Sequence, residues 1–431
     1  MARRRDWALD NEVRKRLTRL RGRHGRAPAV ILGLGANGLG YIRSLGFRGI
    51  PTIALDVWRD PAMRSRYCIP LVVPHPERDP DGLISALRGL ADALEAPVPL
   101  LPTGDAFLLF MAQHRKELHE SYTMNIPSYE SALLCVNKRL QYELAERRGI
   151  PMPRTVFPGD SDLESVMSDL TFPCLLKPYY SHRWREYLHD IGESGNKVIE
   201  ASGHAELGTA YRSVRRSGLD FLVQEKIRGG DDRLWSVQTY IDATGAPKAI
   251  FTKRKLRQYP RGAGDSSCQV GERNDEVASL GLNLLSAMHH RGCGGVEFKE
   301  DPRDGRLKLI EANPRSLASN HHAVVSGVDI PFIHYGDVGG EPVRTRDSFE
   351  EGIKWVHLAR DIPAFLEYRA AGDLDLGGWI ASLRGRRCHA FFDWSDPLPA
   401  VVELGGSLPF LAPMILRGVR RAPHARICNS H

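Results

Sequence analysis

The residues best suited to chemistry lie between positions 295 and 315, where acidic, amide and cationic groups follow one another at regular spacing. They are Glu297, Glu311, Asn313 and Arg315. Two runs of alternating apolar and polar residues flank the sequence Asp-Pro-Arg-Asp-Gly, which favours a turn, so the segment is predicted to form a β-hairpin. Arg315 adds a fixed positive charge just beyond this hairpin.

Alternation along the second strand of the hairpin places side chains two residues apart on the same face. We expect one face to carry two apolar and two polar side chains, namely Leu307, Leu309, Glu311 and Asn313. An even register about the turn would place Glu297 opposite them. Two facing carboxylates repel unless a cation lies between them, and a hard divalent ion suits such a site. The pattern suggests Mg²⁺ carrying a nucleotide's phosphates; a solvated acidic hairpin is the alternative.

Two lysines upstream are candidate ligands for phosphate groups. Lys138 follows Asn137 at the predicted start of a helix, where backbone N–H groups already favour anions. Lys177 ends the apolar run Phe-Pro-Cys-Leu-Leu, which would carry its ammonium group from a buried strand into a cleft. For each lysine by itself, a solvated surface charge is the competing interpretation.

An apolar strand over residues 223–229 could present its backbone to the edge of a purine base. The residues concerned are Gln224, Glu225, Lys226 and Ile227, with Asp231 or Asp232 positioned to bind a ribose. An edge strand that enters a loop is the alternative.

Three cations at alternate positions form a further group. In a strand, Lys253, Lys255 and Arg257 would share one face and could neutralise a phosphoryl group during transfer. A solvated basic face is the alternative.

The elements that must position these residues follow a region in which strand and helix patterns alternate. Strand candidates occur at 29–33, 52–56, 71–73 and 98–102, and helical patterns end near Phe47 or cover about 80–95 and 105–119. Strands alternating with helices predict a parallel, three-layer α/β unit that ends near residue 125.

From Val136 onward the pattern changes to α+β. A helix is expected from Lys138 to Arg148, followed by strands at 154–157, 172–177, 221–227, 233–242, 247–257, 293–299 and 306–313. The segment 179–196 is long and poor in aliphatic residues, which is typical of a functional lid.

The formal net charge of +7 belongs to the first 26 residues, which hold ten Arg or Lys against three acidic residues. Leu9, Val13, Leu17 and Leu20 recur there at helical spacing, so a basic amphipathic helix could touch an anionic membrane surface or an acidic partner. We favour a frayed, solvated tail, and expect that deleting residues 1–26 leaves activity unchanged. The remaining chain is formally neutral, and we expect no nucleic-acid partner.

Composition places the chain among ordinary globular proteins, with 42% apolar and 26% charged residues. No apolar run reaches the roughly 18–20 residues of a membrane span, and the N-terminus lacks the apolar segment of a secretory signal. The seven cysteines are an odd, scattered set without metal-ligand spacing. We therefore expect reduced thiols and a cytoplasmic location.

The order of these motifs resembles that of the ATP-grasp superfamily over about residues 28–335. The motifs are Asn137-Lys138, Leu-Leu-Lys177-Pro, Gln224-Glu-Lys-Ile, Gly-Val-Glu297 and Leu-Ile-Glu311-Ala-Asn313-Pro-Arg315. Within the superfamily, the segments 251–260 and 102–105 look like the carboxylate–amine ligase branch, which includes enzymes similar to D-aspartate ligase.

The resemblance implies an α/β N-terminal Rossmann-like pre-ATP-grasp domain, followed by an α+β ATP-grasp fold. The boundaries expected are a basic tail at 1–27, the Rossmann-like domain at 28–125, the ATP-grasp domain at 126–335 with two subdomains that clasp ATP, and a C-terminal extension of uncertain fold at 336–431. The phosphate-covering loop of the family is usually rich in glycine, whereas 179–197 contains only Gly192 and Gly195. Its candidate ligands are Ser181, His182 and Lys197.

The resemblance also implies roles for individual residues. ATP would be bound by Lys138, Lys177, Gln224, Glu225, Lys226, Ile227 and Asp232. Mg²⁺, as two ions that Mn²⁺ could replace, would be held by Glu297, Glu311 and Asn313. The phosphoryl group in transfer would be stabilised by Arg315, Lys255 and Arg257.

The function expected is that of an ATP-dependent ligase. It would activate a small-molecule or precursor carboxylate as an acyl phosphate and join it to an amine, releasing ADP and phosphate. Substrate loops are expected around Asp105, Arg183–Tyr187 and Asn320–His322. The pattern determines neither the two substrates nor the oligomeric state.

Three other functions remain open from the sequence. The loop Gly33-Leu-Gly-Ala-Asn-Gly38 after a strand, with Asp56 ending the next strand, matches a dinucleotide fingerprint and would suit an NAD(P)-dependent oxidoreductase. A carboxylase or kinase of the same superfamily would share all the nucleotide-binding residues. A binding protein without catalysis is the third, although it would need no metal ligands.

Overall fold

The computed structural model contains three β-sheets joined by helices and turns. It describes residues 9–20, 26–94, 97–159, 163–168, 170–180, 184, 187–188 and 197–420. No helix within these ranges has both the length and the apolar character needed to cross a membrane.

The first sheet is parallel and lies near the N-terminus. Its strands are β1 (Ala29–Leu32), β2 (Thr52–Asp56), β3 (Cys68–Val72), β4 (Val98–Pro102) and β5 (Tyr122–Thr123), in the order β3-β2-β1-β4-β5. The helices of this part are α1 (Asn11–Leu20), α2 (Gly35–Gly46), α3 (Pro80–Leu94), α4 (Asp105–Gln113), α5 (Arg115–Leu118) and α6 (Tyr129–Val136). Val30 and Leu32 pack into one hydrophobic core and Ala29 and Ile31 into another, because successive side chains point to opposite faces. Both faces of the sheet are therefore covered.

Helix α1 packs against the first sheet. Leu17 is fully buried and Leu9 is nearly so, in the same core as Val30 and Leu83. The expectation of a frayed, solvated tail is therefore wrong for residues 9–17, because Leu9 and Leu17 pack against an apolar surface within the protein. The same burial removes the apolar face that a membrane contact through this helix would need.

The second sheet is antiparallel and has four strands. They are β6 (Thr155–Val156), β7 (Cys174–Pro178), β8 (Ile199–Ala201) and β9 (Phe221–Glu225), in the order β6-β9-β7-β8. The helices near it in sequence are α7 (Lys138–Arg147), α8 (Leu163–Ser168) and α9 (His204–Arg216). All five residues of β7 are buried, so Lys177 begins in the protein interior, as expected from the apolar run before it.

The third sheet has seven strands. They are β10 (Leu234–Ile241), β11 (Pro247–Tyr259), β12 (Asp265–Gly271), β13 (Gly292–Glu300), β14 (Leu307–Asn313), β15 (Lys354–Val356) and β16 (Arg387–His389), in the order β14-β13-β10-β11-β12-β15-β16. The intervening helices are α10 (Asp275–Ala287), α11 (Asn320–Val325) and α12 (Ile330–Val338). Helix α10 covers the sheet with Val277 and Leu284, which pack against Val237, Val296 and Phe298.

The C-terminal part of the chain is integrated into this third sheet. Strand β15 pairs with β12, and β16 pairs with β15; the helices here are α13 (Leu358–Ala370), α14 (Leu376–Ser382) and α15 (Leu398–Arg420). Residue 335 is therefore no structural boundary, because two strands of the same sheet follow it. The sequence missed β12, β15 and β16 because short or polar strands carry little periodic signal.

An asparagine network joins the first sheet to the third. Asn37 Nδ2 donates hydrogen bonds of 2.6 Å to the carbonyl oxygens of Thr103 and Ser316. Asn320 Nδ2 in turn donates to the Asn37 carbonyl oxygen at 2.8 Å. These contacts bring the carboxyl end of β4 next to the segment that follows β14, which is where the candidate functional residues lie.

Candidate active site

The hairpin of β13 and β14 brings the two predicted carboxylates together. Glu297 and Glu311 are direct partners in the antiparallel register, and the turn between the strands lies at residues 302–304. Side chains that oppose each other in this way have Cβ atoms about 5 Å apart. The predicted hairpin and the facing of these two glutamates are therefore both present.

One detail of the hairpin differs from expectation. The register shifts after the pair of glutamates, so that Phe298 pairs with Leu309 and Ile310 is an extra, bulged residue. A bulge changes which face the following side chains occupy. Leu307 and Leu309 consequently pack into the hydrophobic core under the sheet, whereas Glu311 and Asn313 lie on the other face. The expectation that all four share one face is wrong.

Each glutamate has a lysine partner from another element. Lys255 Nζ lies 2.9 Å from Glu297 Oε2, and Lys138 Nζ lies 3.1 Å from Glu311 Oε2. Burial by itself would raise the pKa of Glu311, but Lys138 and Lys197 bring this pKa well below its ordinary value. Lys255 and Lys138 thus supply the positive charge that the facing carboxylates of Glu297 and Glu311 require.

Local structure positions Lys138 at the first turn of α7. The Asn137 side chain caps this helix by accepting hydrogen bonds from the N–H groups of Arg139 and Leu140. The Lys138 N–H donates to the Tyr179 carbonyl oxygen at 3.0 Å, which fixes the helix start against the end of β7. The Lys138 ammonium group contacts the Glu311 carboxylate, and the expected role of Lys138 in binding phosphate stays a prediction.

Lys177 lies beside this pair and is fully enclosed. Its Nζ donates to Gln224 Oε1 at 2.6 Å, so two predicted nucleotide-binding residues are in direct contact. Burial lowers the pKa of Lys177 to about 7, and the charge of Lys138 adds to the effect. An ammonium group so poorly solvated would gain from an anion brought next to it.

Arg315 connects the hairpin to the first sheet. Its Nε lies 2.8 Å from Oδ1 of Asp105, the first residue of α4. Burial alone would lower the pKa of Arg315, but Asp105 and Glu311 raise it above the ordinary value. The structure therefore brings Asp105, which was expected only on a substrate loop, into the same site as the metal-binding candidates.

Arg257 does not join the other cations of β11. Register shifts lie on both sides of Arg257 in its pairing with β12, and its Nε and Nη2 donate to the two carboxylate oxygens of Asp361 at 2.9 Å each. This bidentate pair holds β11 against α13. The expected common face for all three cations is thus interrupted, because the strand is irregular where alternation was assumed.

Lys253 is a buried cation that the sequence indicated only as part of the basic strand. Its Nζ donates to Ser319 Oγ and lies 3.4 Å from Gln238 Oε1. Burial lowers its pKa to about 7, with Glu297 opposing and Lys255 adding to the shift. Lys253 is therefore close enough to Glu297 for the two charges to interact.

The candidate purine-binding strand is ordered by contacts of its own side chains. Glu225 accepts a hydrogen bond from the Thr171 N–H at 3.1 Å, and Lys226 Nζ lies 2.6 Å from Glu200 Oε2. The Ile227 side chain is buried, and its carbonyl oxygen accepts from Lys299 Nζ at 3.1 Å. Lys299 was not singled out in the sequence, although it follows Glu297 by two residues.

The two aspartates considered for a ribose have different environments. Asp231 is buried and accepts hydrogen bonds from Gln258 Nε2, the Gly262 N–H and the Tyr368 hydroxyl. Asp232 is exposed. Because Asp231 is committed to holding β11 and α13 together, Asp232 is the residue of this pair that remains accessible to a ligand.

The lid segment is only partly described. Ser181 and His182 lie outside the described residues, whereas Lys197 forms an ion pair with Asp265 at the start of β12. Asp265 also pairs with Arg360 Nη1 at 3.2 Å. The sequence missed Asp265 and Arg360 because the strand and helix that carry them were not recognised.

The other loops expected to bind substrate are mostly closed. Asn320, His321 and His322 are buried, and His322 Nε2 donates to the Ile353 carbonyl oxygen at 2.8 Å. Arg183 lies outside the described residues. The Tyr187 hydroxyl donates to Ser213 Oγ. Residues 320–322 therefore support the packing of α11 instead of forming an open pocket.

A recess of about 170 Å³ lies next to Arg315, at the junction of the first and third sheets. Pro102, Asn125, Cys293 and His334 contribute to its lining. The recess is small. No pattern in the sequence indicated this recess, because its walls come from segments far apart in the chain.

The glycine-rich loop after β1 is occupied by carboxylates of the chain itself. Gly33 and Gly35 have positive φ angles of 86° and 65°. Asp56 accepts a hydrogen bond from the Leu34 N–H at 2.8 Å, and Asp60 accepts one from the Gly35 N–H. N–H groups already bonded to carboxylates are not open to a pyrophosphate. The geometry therefore does not favour the oxidoreductase alternative.

The donors available for a metal ion are two carboxylates and one amide. Nowhere in the described part of the chain are three His, Cys, Asp or Glu side chains grouped closely enough to hold a metal. Asn313 Nδ2 donates to Glu311 Oε1 at 3.2 Å, which leaves the Asn313 amide oxygen free. A set of this kind suits Mg²⁺, which commonly takes one or two carboxylates and completes its shell with substrate phosphates and water.

Comparison with known proteins agrees with this architecture. The chain is 26% identical over 284 residues to the D-aspartate ligase of Enterococcus faecium (strain Aus0004), an alignment that covers 62% of this chain and 66% of the relative. The chain thus matches just under two thirds of that relative's length. No protein-family model matches the chain.

Solved structures show the same fold at low sequence identity. N5-carboxyaminoimidazole synthetase from Staphylococcus aureus, in complex with ADP, aligns with a TM-score of 0.57 and 16% identity over 74% of this chain and 79% of that one. L-amino acid ligase from Bacillus licheniformis aligns with a TM-score of 0.54 and 14% identity over 73% and 74%. The resemblance to the ATP-grasp superfamily and its carboxylate–amine ligase branch is confirmed.

Proposed function

We propose that this ATP-grasp protein is an ATP-dependent carboxylate–amine ligase, which forms a carbon–nitrogen bond and releases ADP and phosphate. The observation that carries the proposal is the pair Glu297 and Glu311, which face each other and are each neutralised by a lysine from a different element. A solvated acidic hairpin would not need ammonium groups brought from β11 and α7. The likeness to D-aspartate ligase supports the same assignment.

The nucleotide would bind between the second and third sheets. Lys138 and Lys177 are proposed to contact its phosphates, and Asp232 its ribose. The base would lie along the backbone and side chains of Gln224, Glu225, Lys226 and Ile227. The contact between Lys177 and Gln224 supports this placement, because a residue proposed for the phosphates and a residue proposed for the base lie next to each other.

Glu297, Glu311 and Asn313 would hold Mg²⁺, as two ions that Mn²⁺ could replace. When bound, the metal would offset the negative charge of the phosphates. Lys138 and Lys255 would then be released from the carboxylates. Each ammonium group could then donate a hydrogen bond to a phosphate oxygen in place of its present carboxylate partner.

A carboxylate is a poor electrophile, because its oxygen is a poor leaving group until it is phosphorylated. Arg315, Lys255 and Lys253 would stabilise the phosphoryl group as it moves to the substrate carboxylate. Arg257 is less suitable, because its guanidinium is held by Asp361. The amine would then attack the acyl phosphate and expel phosphate.

The acyl phosphate must be protected from water until the amine arrives. We propose that the segment 179–197 is the lid. The ion pair of Lys197 with Asp265 would hold the end of this lid to the third sheet. A closed lid would also place the Lys197 charge near Glu311, an interaction that is already reflected in the lowered Glu311 pKa.

Residues 28–125 are proposed to form a Rossmann-like pre-ATP-grasp domain that contributes to the substrate site instead of binding a dinucleotide. The link between Asp105 and Arg315 supports this role, because it joins the end of the first sheet to the reacting centre. We propose an amino acid as one of the substrates, and D-aspartate is the first to test in view of the relative's activity. A cytoplasmic location and an acidic partner for the N-terminal basic residues stay predictions.

The assignment is tested by ADP release from mixtures of carboxylates and amines, with mass detection of the amide. Glu311→Gln should lower the rate of ADP release about a hundredfold or more, because it removes charge from the metal-binding pair without changing the side-chain shape. Glu300→Gln is the matched control, since Glu300 lies on β13, the other strand of the same hairpin, but pairs with Arg233 at the surface. Release at the wild-type rate by Glu311→Gln would contradict the metal assignment.

The identity of the product distinguishes a ligase from a carboxylase or a kinase of the same superfamily. ADP release that depends on both an acid and an amine, with an amide of the summed mass less water, is the expected result. A carboxylated or phosphorylated product would instead identify a carboxylase or a kinase built on the same nucleotide site.

A further inference from the structure

A second recess, of about 230 Å³, lies between the last helix and two strands of the third sheet. Its walls come from β15 and the start of α13, from β16 and the segment after it, and from α15. Most of the lining is apolar, but three titratable side chains contribute to it, namely His357, His389 and Glu403. None of the three belongs to the proposed ATP and metal site.

His357 brings an unsatisfied nitrogen atom to this recess. The residue is 6% exposed, and within the described part of the chain its Nδ1 has no hydrogen-bond partner. Burial lowers the pKa of the imidazole to about 3, so the ring is neutral near pH 7. In one tautomer of a neutral imidazole Nδ1 is a hydrogen-bond acceptor. A buried polar atom of this kind is costly as long as it has no partner.

Glu403 lies opposite His357 in the same recess. Its Oε1 is 3.8 Å from His357 Nδ1, which is too long for a hydrogen bond but allows one small group to contact both atoms. The side chain is 14% exposed, and no lysine or arginine among the described residues forms an ion pair with it. Burial raises the pKa of Glu403 to about 7, and the charge of Arg360 opposes this shift. A partly buried carboxylate without a cation in contact would gain from one.

His389 supplies a further nitrogen atom. It lies on β16, and its Nδ1 is also buried without a hydrogen-bond partner in the part of the chain that the structure describes. Burial lowers the pKa of this imidazole as well. Two phenylalanines flank the imidazoles, with the ring centroid of Phe391 5.5 Å from that of His357 and the centroid of Phe392 5.9 Å from that of His389. The recess thus combines hydrogen-bond acceptors, one carboxylate and aromatic rings.

These groups suit an ammonium ion better than a metal ion. The described residues contain no group of three His, Cys, Asp or Glu side chains close enough to hold a metal, whose bonds to such donors are only about 2.0–2.2 Å long. Hydrogen bonds from an ammonium group to a carboxylate are about 2.7–2.9 Å long, so they reach acceptors that are more widely spaced. An ammonium group also offers three N–H donors and no acceptor, and aromatic rings attract cations.

We propose that this recess is a binding site for a small primary amine in its ammonium form. The ammonium nitrogen would donate to Glu403 Oε1 and His357 Nδ1, and its third N–H would face His389. The alkyl part would lie against the apolar wall to which Phe391 and Leu404 contribute. A neutral or anionic ligand would leave the carboxylate without compensation, and a quaternary ammonium ion would leave the acceptors without a donor.

The test is thermal unfolding of the full chain in methylammonium chloride, compared with sodium chloride and tetramethylammonium chloride at the same concentrations. Methylammonium is a small probe that carries both the ammonium group and an apolar part. Titration should give a saturable rise in melting temperature, of about 1–3 °C at ten times the dissociation constant, because the ligand binds only the folded protein. Neither of the other two salts should reproduce this rise.

Two variants remove the proposed contacts singly. Glu403→Gln keeps the side-chain shape and should weaken methylammonium binding at least about tenfold, because it replaces a charge-assisted hydrogen bond by a neutral one. His357→Phe keeps an aromatic ring, lacks Nδ1, and should weaken binding about tenfold. Glu276→Gln is the matched control, since Glu276 is exposed on α10, and it should respond as the wild type does. Far-UV circular dichroism verifies the fold of all three variants.

Three results would overturn the proposal. They are the absence of a saturable rise in the wild type, an equal rise with tetramethylammonium, and an undiminished rise in Glu403→Gln.

Glu311→Gln separates this recess from the proposed active site, where an amine substrate would also bind. This variant should keep the wild-type response to methylammonium. A response that is lost in Glu311→Gln and kept in Glu403→Gln would assign the amine to the active site and overturn the assignment to the recess. Because melting temperature does not depend on catalysis, the ligase assignment and the assignment of this recess can fail separately.

Discussion

At the scale of single residues, the site is dominated by partly buried charges that lie in compensating pairs. Glu297 and Lys255 are one such pair, and Glu311 and Lys138 the other. A buried pair that loses one partner is strongly destabilised, because the remaining charge is left without compensation. The lysines therefore stabilise the site in the absence of a ligand, and the same groups would be available to phosphates when a metal replaces them.

Lys253 leads to a prediction about stability and pH. Burial lowers its pKa from 10.5 to about 7, so between these two values the unfolded chain binds more protons than the folded one. The free energy of unfolding should therefore rise as the pH increases from 7 toward 10, by up to about 1.4 kcal/mol per pH unit from this lysine. Lys253→Met should show a smaller rise.

The measurement is urea unfolding of both proteins at pH 7 and pH 9. Lys116→Met serves as the control because Lys116 is exposed, and it should retain the full rise. An identical pH dependence in the wild type and Lys253→Met would mean that Lys253 keeps its proton in the folded protein.

At the scale of elements, patterns with a regular period were readable and irregular ones were not. The hairpin of β13 and β14 was predicted from alternation, and its turn and glutamate pair are present. The bulge at Ile310 was not predictable, because an extra residue leaves no mark on composition. It is nevertheless this bulge that allows the leucines to reach the core while Glu311 and Asn313 face the site.

Helix α1 provides a prediction at this scale. Leu17 is fully buried against the first sheet, so Leu17→Ala should lower the free energy of unfolding by about 2–5 kcal/mol. Lys15→Ala, at an exposed position of the same helix, should change it by less than about 0.5 kcal/mol. Denaturant titration of the two variants provides the comparison, and equal stabilities would show that α1 is detached in solution.

The same packing leads to a prediction about the stability of the protein after deletion of residues 1–26. Removal of α1 would expose the apolar surface that Leu9 and Leu17 cover, so the shortened protein should be less stable and more prone to aggregate.

At the scale of the whole molecule, distant segments hold the sheets in one arrangement. Arg43 on α2 is buried and pairs with Asp396 near the C-terminus, and Asp396 also accepts hydrogen bonds from the Ser65 hydroxyl and the Arg66 N–H. The first sheet is thereby linked to the region after β16.

Asp396→Ala tests this long-range link. It should lower the free energy of unfolding by about 3–5 kcal/mol, because the buried Arg43 would lose its partner. Asp393→Ala is the control, since Asp393 accepts its hydrogen bonds from the neighbouring Ser395. Thermal unfolding of both variants gives the comparison, and a melting temperature of Asp396→Ala equal to that of the control would show that the link is energetically unimportant.

The sequence by itself determined the order of the motifs, the main strands and the identity of most charged groups in the site. Spacing within one strand or one helix start is a local property, so Glu297, Glu311 and Lys138 could be recognised from their immediate neighbours. Resemblance to a superfamily then supplied roles that local spacing could not, and the fold agrees with that resemblance.

Only the tertiary structure decided which of these groups meet. It paired Arg315 with Asp105, directed Arg257 to Asp361, filled the glycine-rich loop with Asp56 and Asp60, and buried α1 while leaving α15 uncovered. These outcomes depend on contacts between residues far apart in the chain. Such contacts follow from the packing of whole sheets and helices, which no short stretch of sequence encodes.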